Sequence, residues 1–461
     1  MQAPFDIAAD LDTPVSAYLK LAGFRPRFLL ESVEGGSRLA RYSFIGFGGA
    51  MEVRLTPDAL LVDGRELPRP EGQAALLDAW RTLLARAPRP GPATPDIPFT
   101  GGLVGVAGYD VVRFFERLPS RHPGHPGLPE AAFVAPESLL VFDHLTRRAA
   151  LLHAGGEDER QALRREVISA LAGGVTRRAS RGTFSLPQGS MDEAAYIDAV
   201  GRAQASIAAG DIYQLVLSVR FAGRHSLDPF EAYRAMRLIN PSPYMFFCDL
   251  GDLQLVGSSP EALVRLHGRT ASLRPIAGTR PRGDSDEADL ALERDLLADP
   301  KENAEHVMLV DLARNDLGRV AQAGSVHVDP YRSIERYSHV MHIVSGVRGE
   351  LAPEADAFDL FAAAFPAGTL VGAPKVRAMQ LIDELESVSR GLYAGTVGYF
   401  GHGGDMDQAI AIRTLVFHGD EYSFQAGAGI VADSVPASEY AEVQAKSAIL
   451  RRALAMAEKG L

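Results

Sequence analysis

Apolar and polar positions alternate in short runs along much of this chain, and the runs come in clusters. In the first third, RFLLESV (27–33), RYSFIGFG (41–48) and ESLLVFDH (137–144) read as strands between Pro- and Gly-rich loops. Beyond residue 192, DEAAYIDAVGRAQASIAAG has helical spacing, and DIYQLVLSVRF (211–221) follows it as a strand. LQLVGSS (253–259), TASLRPIAG (270–278), GLYAGTVGYFG (391–401) and EYSFQAGAGIVA (421–432) read as further strands. Helical periodicity returns over 289–297, 302–316, 375–386 and 437–458. Clustered strands without regular βαβ alternation predict an α+β fold with mainly antiparallel sheets. The clearest seam is 155–189, a charged helical piece followed by a Gly-, Ser- and Arg-rich stretch. It divides a first part, 1–180, from a second, 190–461.

Charges that interrupt this pattern carry the candidate chemistry. In DPKENAEHVMLVDLARND (299–316), Glu302, Glu305, His306 and Leu309 share one helical stripe. Two like charges in line with a core leucine repel each other, so something positive is expected to face them. The last helix repeats the motif, with Glu439, Glu442 and Lys446 on one stripe beside Val443 and Leu450. The plain reading is a surface Glu442–Lys446 pair worth a few tenths of a kcal/mol, roughly. Two helices that each offer E-x-x-E favour a hard divalent cation such as Mg²⁺, which takes one or two carboxylates, substrate oxygens and water.

Other motifs are excluded by their context. QAGAGIVADSVP has the G-x-G-x-x-A spacing of a dinucleotide fingerprint, but Pro436 stands where its helix should continue. A turn that bares backbone N–H groups to a carboxylate suits it better. GTLVGAPK lacks phosphate-loop spacing, so Lys375 is not a phosphate-loop lysine. Arg413, inside the apolar run AIAIRTLVF, reads as a strand arginine that needs an anion, in an internal ion pair or a substrate. His342 stands alone among apolar residues, the usual setting of a core histidine.

Bulk composition narrows the class. A net charge of −11 over 461 residues gives no basic surplus for nucleic acid or an anionic membrane. One cysteine, Cys248, excludes an internal disulfide framework and a cysteine-based zinc cluster. The first residues lack the apolar core of a secretory signal, and no run of apolar residues is long enough to span a bilayer. A cytoplasmic protein is the expectation. Together these features describe a Mg²⁺ enzyme acting on a small carboxylate.

Ten runs then occur in order: GDIYQLVLSVRF, NPSPYMFF, SSPEALVRL, RPIAGTRPRG, KENAEHVMLVDLARNDLGRV, YSHVMHIVSG, FPAGTLVGAPKVRAM, YAGTVGYF, DQAIAIRT and QAGAGIVADSVP. They cover residue 192 to the C-terminus, while TPVSAYLKL, FLLESVEGG and RYSFIGFG extend the match more thinly to the first third. This set resembles the large component of anthranilate synthase, in the chorismate-utilising enzyme family. The resemblance implies a large α/β sandwich of two packed antiparallel sheets with helices outside. It places the effector site partly in 1–180 and chorismate binding in 190–461. It implies a reaction of chorismate and ammonia giving anthranilate and pyruvate, through aminodeoxyisochorismate.

The resemblance also assigns roles. Glu305 and Glu442 would hold Mg²⁺, with Glu302 and Glu439 in its outer shell. Glu261 would be the general acid for the C4 hydroxyl, His342 would assist elimination, and Thr369 would line the pocket. Tyr393 and Arg413 would hold the enolpyruvyl carboxylate. The backbone of Gly427, Ala428 and Gly429, with Lys446, would hold the rest of the anion. Gln214 stands where water-using relatives carry a lysine, so ammonia is the expected nucleophile. Ala277 stands where many aminodeoxychorismate synthases carry a lysine, which favours anthranilate over that alternative. A non-catalytic tryptophan-binding regulator would have lost the four acids, and all four are present. Cys248 lies in no glutaminase motif, so a separate glutamine amidotransferase partner is expected to supply ammonia. Glu31 and Ser32, Pro243, Tyr244 and Met245, and Val397 and Tyr399 resemble a tryptophan effector site, implying feedback inhibition. One departure is Val371, where the family usually has Ser or Thr.

Overall fold

The computed structural model describes residues 4–33, 41–94, 97–119, 122, 124–125, 127–175, 182–337 and 340–461. Residues 176–181 of the Ser- and Arg-rich seam, and Ser338 and His339 of YSHVMHIVSG, lie outside them. Every strand pairing among the described residues is antiparallel. Two long strands, Tyr42–Leu55 and Ala131–Asp143, lie side by side where one hydrogen-bonded surface folds over into two sheets. From Tyr42–Leu55 the pairing passes through Phe28–Glu31, Tyr244–Asp249, Leu253–Ser259, Thr414–His418 and Glu421–Ile430 to Gln214–Arg224. From Ala131–Asp143 it passes through Gly102–Ala107, Thr396–Gly401, Met406–Ile410, Ala262–His267 and Thr270–Leu273 to Val347–Glu350.

The two-residue period of a strand sorts side chains between two apolar layers. Val104, Val106, Val397 and Tyr399 share the layer between the sheets with Phe246, Cys248, Leu253, Leu255 and Val416. Their alternates, including Leu103, Phe400, Met245, Phe247, Leu415 and Phe417, face the outer layers. There the helices Pro229–Ile239 and Pro436–Lys459 cover one sheet. Over the other lie Gly72–Arg86 and Ala357–Ala364, where the Trp80 ring is 5.4 Å from Phe133, 5.7 Å from Phe361 and 6.0 Å from Phe400. Burial on both faces explains why these strands read as nearly unbroken apolar runs. The α+β sandwich with helices outside is the observed architecture.

Strands from both sides of the seam share these sheets. Phe28–Glu31 pairs with Tyr244–Asp249, and Gly102–Ala107 with Thr396–Gly401. A separate three-stranded sheet, Ile276–Pro281, Val340–Val344 and Ser333–Arg336, forms a small lobe with helices Asp286–Ala298 and Pro300–Gly318. Leu296, Met341 and Ile343 make its core.

Three single-strand expectations are corrected. TASLRPIAG is two strands in two sheets, divided at Arg274 and Pro275, because a proline has no N–H to continue the ladder. In GLYAGTVGYFG only Thr396–Gly401 is extended, and Ala394 has φ 62°. AIAIRTLVF is likewise split. Met406–Ile410 belongs to one sheet and Thr414–His418 to the other, and Arg413 sits at the crossing with φ 48°.

Candidate active site and a second cavity

A cavity of about 490 Å³ lies among the small lobe, the C-terminal helix and the ends of several central strands. The helix Pro300–Gly318 begins at Asp299, whose carboxylate accepts from the N–H groups of Lys301 (2.9 Å) and Glu302 (3.2 Å). With Pro300 in the first turn, this start turns Glu302, Glu305 and Leu309 toward the cavity. His306 leaves that stripe, contrary to the sequence expectation. It is fully buried, with Nε2 2.7 Å from Ser345 Oγ, and burial lowers its pKa to about 4, so it packs as a neutral ring.

Glu439, Glu442 and Lys446 line the same cavity from the C-terminal helix. The surface pair expected from spacing does form, with Lys446 Nζ 2.7 Å from Glu442. Lys446 also donates to the Gly427 carbonyl at 3.0 Å. Both side chains are about half exposed, so the pair itself contributes about 0.3–0.5 kcal/mol at most. Burial, then Glu302 and then Glu442 push the Glu305 carboxyl above its usual range, partly offset by Lys301 and a hydrogen bond from Gln214. Among the described residues, no three His, Cys, Asp or Glu side chains converge to hold a metal unaided. Four carboxylates lining one cavity, one of them raised by burial and then by its neighbours, nevertheless fit a divalent cation whose remaining ligands come from substrate and water.

Glu261 lies on the cavity wall just before strand Ala262–His267 and is held there by the Ile410 N–H donating to its carbonyl at 2.9 Å. Burial raises its carboxyl to about 7, against the lowering effect of Thr369, whose hydroxyl donates to Glu261 Oε1 at 2.9 Å. This is the pKa of a group able to give up a proton near neutrality. Tyr393, Arg413 and Gln214 complete the wall. The left-handed backbone at Arg413 lets the chain change sheets beside the cavity, so its side chain is not in a continuous strand.

Of the glycines in QAGAG, Gly427 is held by backbone sterics and Gly429 by a side chain alone. A Cβ on Gly427 would stand 2.8 Å from the Leu217 carbonyl oxygen and 2.9 Å from the Tyr393 hydroxyl, and one on Gly429 would stand 2.8 Å from Gln214 Nε2. Ala428 alternates away into the apolar core, so only its backbone belongs to this segment of the wall. His342 is not among the cavity-lining residues. It stands on the neighbouring strand, with Nδ1 2.9 Å from the Gly278 carbonyl and 3.1 Å from Thr279 Oγ1. Val371 is fully buried in the main core, a packing position where the absent hydroxyl leaves no gap in the cavity wall.

A second cavity, about 380 Å³, brings together Glu31, Ser32, Pro243, Tyr244, Met245, Val397 and Tyr399. At its polar end Arg265 Nε lies 2.6 Å from Tyr244 Oη and 3.1 Å from Asp407 Oδ1, and the Tyr244 hydroxyl donates to Asp407 at 2.9 Å. Glu31 accepts from Arg237 Nε at 3.1 Å and from the Tyr233 hydroxyl. Strand Ala262–His267 runs from Glu261 to Arg265, Leu266 and His267, joining the two cavities.

The profile of the chorismate binding enzyme family matches residues 25–452. The chain belongs to this family. Among its relatives, anthranilate synthase component 1 of Thermus thermophilus is 48% identical, covering 98% of this chain and 97% of the relative. That of Pseudomonas aeruginosa is 44% identical, covering 99% and 96%. The crystal structure of anthranilate synthase component I from Streptococcus pneumoniae superposes with a TM-score of 0.80 at 36% identity, covering 89% of this chain and 92% of that one. The chain is therefore a chorismate-utilising enzyme that resembles anthranilate synthase component 1 along nearly its whole length.

In this chorismate binding enzyme, Lys301, Thr279, Gln425 and Ser434 also line the first cavity, and Arg265 and Asp407 the second. Sequence reasoning missed them. A lysine beside glutamates reads as solvated charge, and Thr, Gln and Ser in strands or turns carry no spacing signal. Only the pairing Ala262–His267 with Met406–Ile410 sets Arg265 opposite Asp407. Cys248 is buried between the sheets, and burial pushes its thiol well up, the opposite of an activated nucleophile.

Proposed function

We propose that this chain converts chorismate and ammonia to anthranilate, pyruvate and water, the first committed step toward tryptophan. The observation that carries this reading is Glu261, a half-buried carboxyl whose desolvation raises its pKa to about 7, facing the same cavity as the two acid-bearing helices. Glu261 gives its proton to the departing C4 hydroxyl while ammonia adds at C2. Arg413 and Tyr393 orient the enolpyruvyl carboxylate, and the bare backbone at Gly427 and Gly429 admits the anion closely. His342, paired with the cavity-lining strand at Thr279 and held by the Gly278 carbonyl, is the group proposed to assist loss of pyruvate from just behind that wall. Gln214 hydrogen-bonds Glu305 and does not deprotonate water, which favours ammonia as nucleophile. Glu305 and Glu442 would hold Mg²⁺, with Glu302 and Glu439 around it, and the ion would serve as Lewis acid and template for the ring carboxylate.

The component 1 relatives imply a second component. A glutamine amidotransferase in that role would supply the ammonia, since the thiol of Cys248 is enclosed in the core. Tryptophan would occupy the second cavity and inhibit.

The test uses the purified chain with chorismate, Mg²⁺ and ammonium, following anthranilate fluorescence. A signal lost with EDTA and in Glu305→Gln supports the reading. Aminodeoxychorismate as the product would replace it with the folate-pathway alternative. Untouched chorismate, with ammonia in excess, would reject both.

A further inference from the structure

Behind the first cavity lies a buried ion pair that the proposed chemistry does not use. Glu386 and Arg390 are each 4% exposed, four residues apart, just beyond helix Lys375–Leu385. Neutralising Glu386 would take one contact. Arg390 instead spreads its donors over three segments: Nε and Nη2 to the Glu386 carboxylate at 2.9 and 2.6 Å, Nη1 to the Leu370 carbonyl at 2.7 Å, and Nη2 to the Val216 carbonyl at 2.8 Å. Glu386 Oε1 in turn accepts from the backbone N–H of Ser218 (2.9 Å) and its hydroxyl (2.7 Å), and that hydroxyl accepts from Gln425 Nε2 at 2.7 Å.

These contacts lead to the cavity wall. Leu370, Val216 and Gln425 line it directly. Thr369, which donates to Glu261, immediately precedes Leu370 in the short helix Gly368–Val371. Tyr393, over whose ring face Arg390 lies with 5.6 Å between its guanidinium carbon and the ring centre, follows three residues later and donates its N–H to the Arg390 carbonyl at 3.1 Å. Only a planar, always-charged fork serves carbonyls and a carboxylate in several directions at once; a lysine ammonium cannot reproduce that geometry.

We infer that the Glu386–Arg390 pair is a positioning device for the reaction, fixing the wall on which Thr369 addresses Glu261 and on which Tyr393 and Gln425 face the substrate. This rests on the reading of the cavity as the chorismate site. The pair touches no reacting atom and acts through Thr369, Tyr393 and Gln425.

A purely structural pair and a positioning pair respond differently to replacement. A buried ion pair exchanged for apolar residues of similar volume often folds as well as the parent. The test compares Glu386→Leu/Arg390→Met, Arg390→Lys and the control Thr369→Val in the full-length chain. It measures thermal melting, kcat and KM from chorismate consumption, and the Glu261 carboxyl titration by ¹³C NMR, assigned with Glu261→Gln. The expected result is a folded apolar pair whose kcat falls about 10- to 100-fold with KM within about threefold, the size expected from a misplacement of about an ångström. Its Glu261 titration moves upward, as in Thr369→Val, because the hydroxyl that stabilises the carboxylate is displaced. Arg390→Lys gives the same direction.

A folded apolar pair with parental kcat, or an unmoved Glu261 titration, would overturn the inference. Failure of both pair variants to fold would assign the pair to stability alone. A parent that consumes chorismate without forming anthranilate rejects the proposed product but leaves this inference to kcat and the titration; a parent that consumes none overturns the reading of the cavity and this inference with it.

Discussion

At the scale of single residues, Glu261 and Thr369 set the expected pH behaviour. In the proposed reaction Glu261 acts in its protonated form, and its folded pKa is raised to about 7. At a fixed concentration of free ammonia, kcat/KM for chorismate therefore holds below about pH 7 and falls above it as the proton is lost. Thr369→Val removes a contact that lowers this pKa, so the falling limb moves to higher pH. Glu261→Gln is expected to lower kcat by about 10²–10⁴-fold with little change in KM, measured by steady-state kinetics. The glycines should separate in the same assay. Gly427→Ala drives a Cβ into a backbone carbonyl and the Tyr393 hydroxyl, whereas Gly429→Ala meets only the end of the Gln214 side chain. The first should raise KM by roughly tenfold or more, about 1.4 kcal/mol of binding, and the second by less. Glu261 was recognised in the sequence through its motif, but its raised pKa was not legible, because burial is a property of the folded cavity.

At the scale of elements, the acid-bearing helices behave as one unit only when folded. Spacing placed Glu302 and Glu305 on one stripe and Glu439 and Glu442 on another. It did not say that the stripes line the same cavity, nor that His306 would turn aside to Ser345. If a divalent cation offsets the burial and the neighbouring charges that raise Glu305, millimolar Mg²⁺ should raise the melting temperature of the wild-type chain without substrate. Glu305→Gln and Glu442→Gln should each abolish most of that rise in a thermal melt. An equal rise in all three proteins would reject these ligands. The split strands show the opposite failure of pattern. AIAIRTLVF is apolar throughout because both halves are buried, and apolarity alone does not reveal that they belong to different sheets.

At the scale of the molecule, the first part of the chain is woven into the second. Phe28–Glu31 has Tyr42–Leu55 on one side and Tyr244–Asp249 on the other. A fragment of residues 190–461 would expose that edge and the apolar layer holding Phe246 and Cys248. It should lack a cooperative melt by circular dichroism; a folded fragment would show that the seam is a true domain boundary. The second cavity forms where these three segments meet strands Ala262–His267, Thr396–Gly401 and Met406–Ile410. If tryptophan inhibits from this cavity as proposed, Ser32→Phe at its half-buried wall should raise the concentration needed for inhibition at least tenfold, read from a tryptophan titration of activity. Among the described residues no helix is long and apolar enough to cross a membrane.

The sequence by itself determined the fold class, the helices over 302–316 and 437–458 with their four carboxylates, and a motif that singled out Glu261. These rest on local periodicity and on motifs whose residues lie close together in the chain. Tertiary structure alone decided which stripes face one cavity, which way alternate strand residues point, and where strands break between sheets. It also decided that Arg390 would reach Leu370 and Val216, 20 and 174 residues away. Those outcomes depend on pairing partners and burial, and both exist only after distant segments have met.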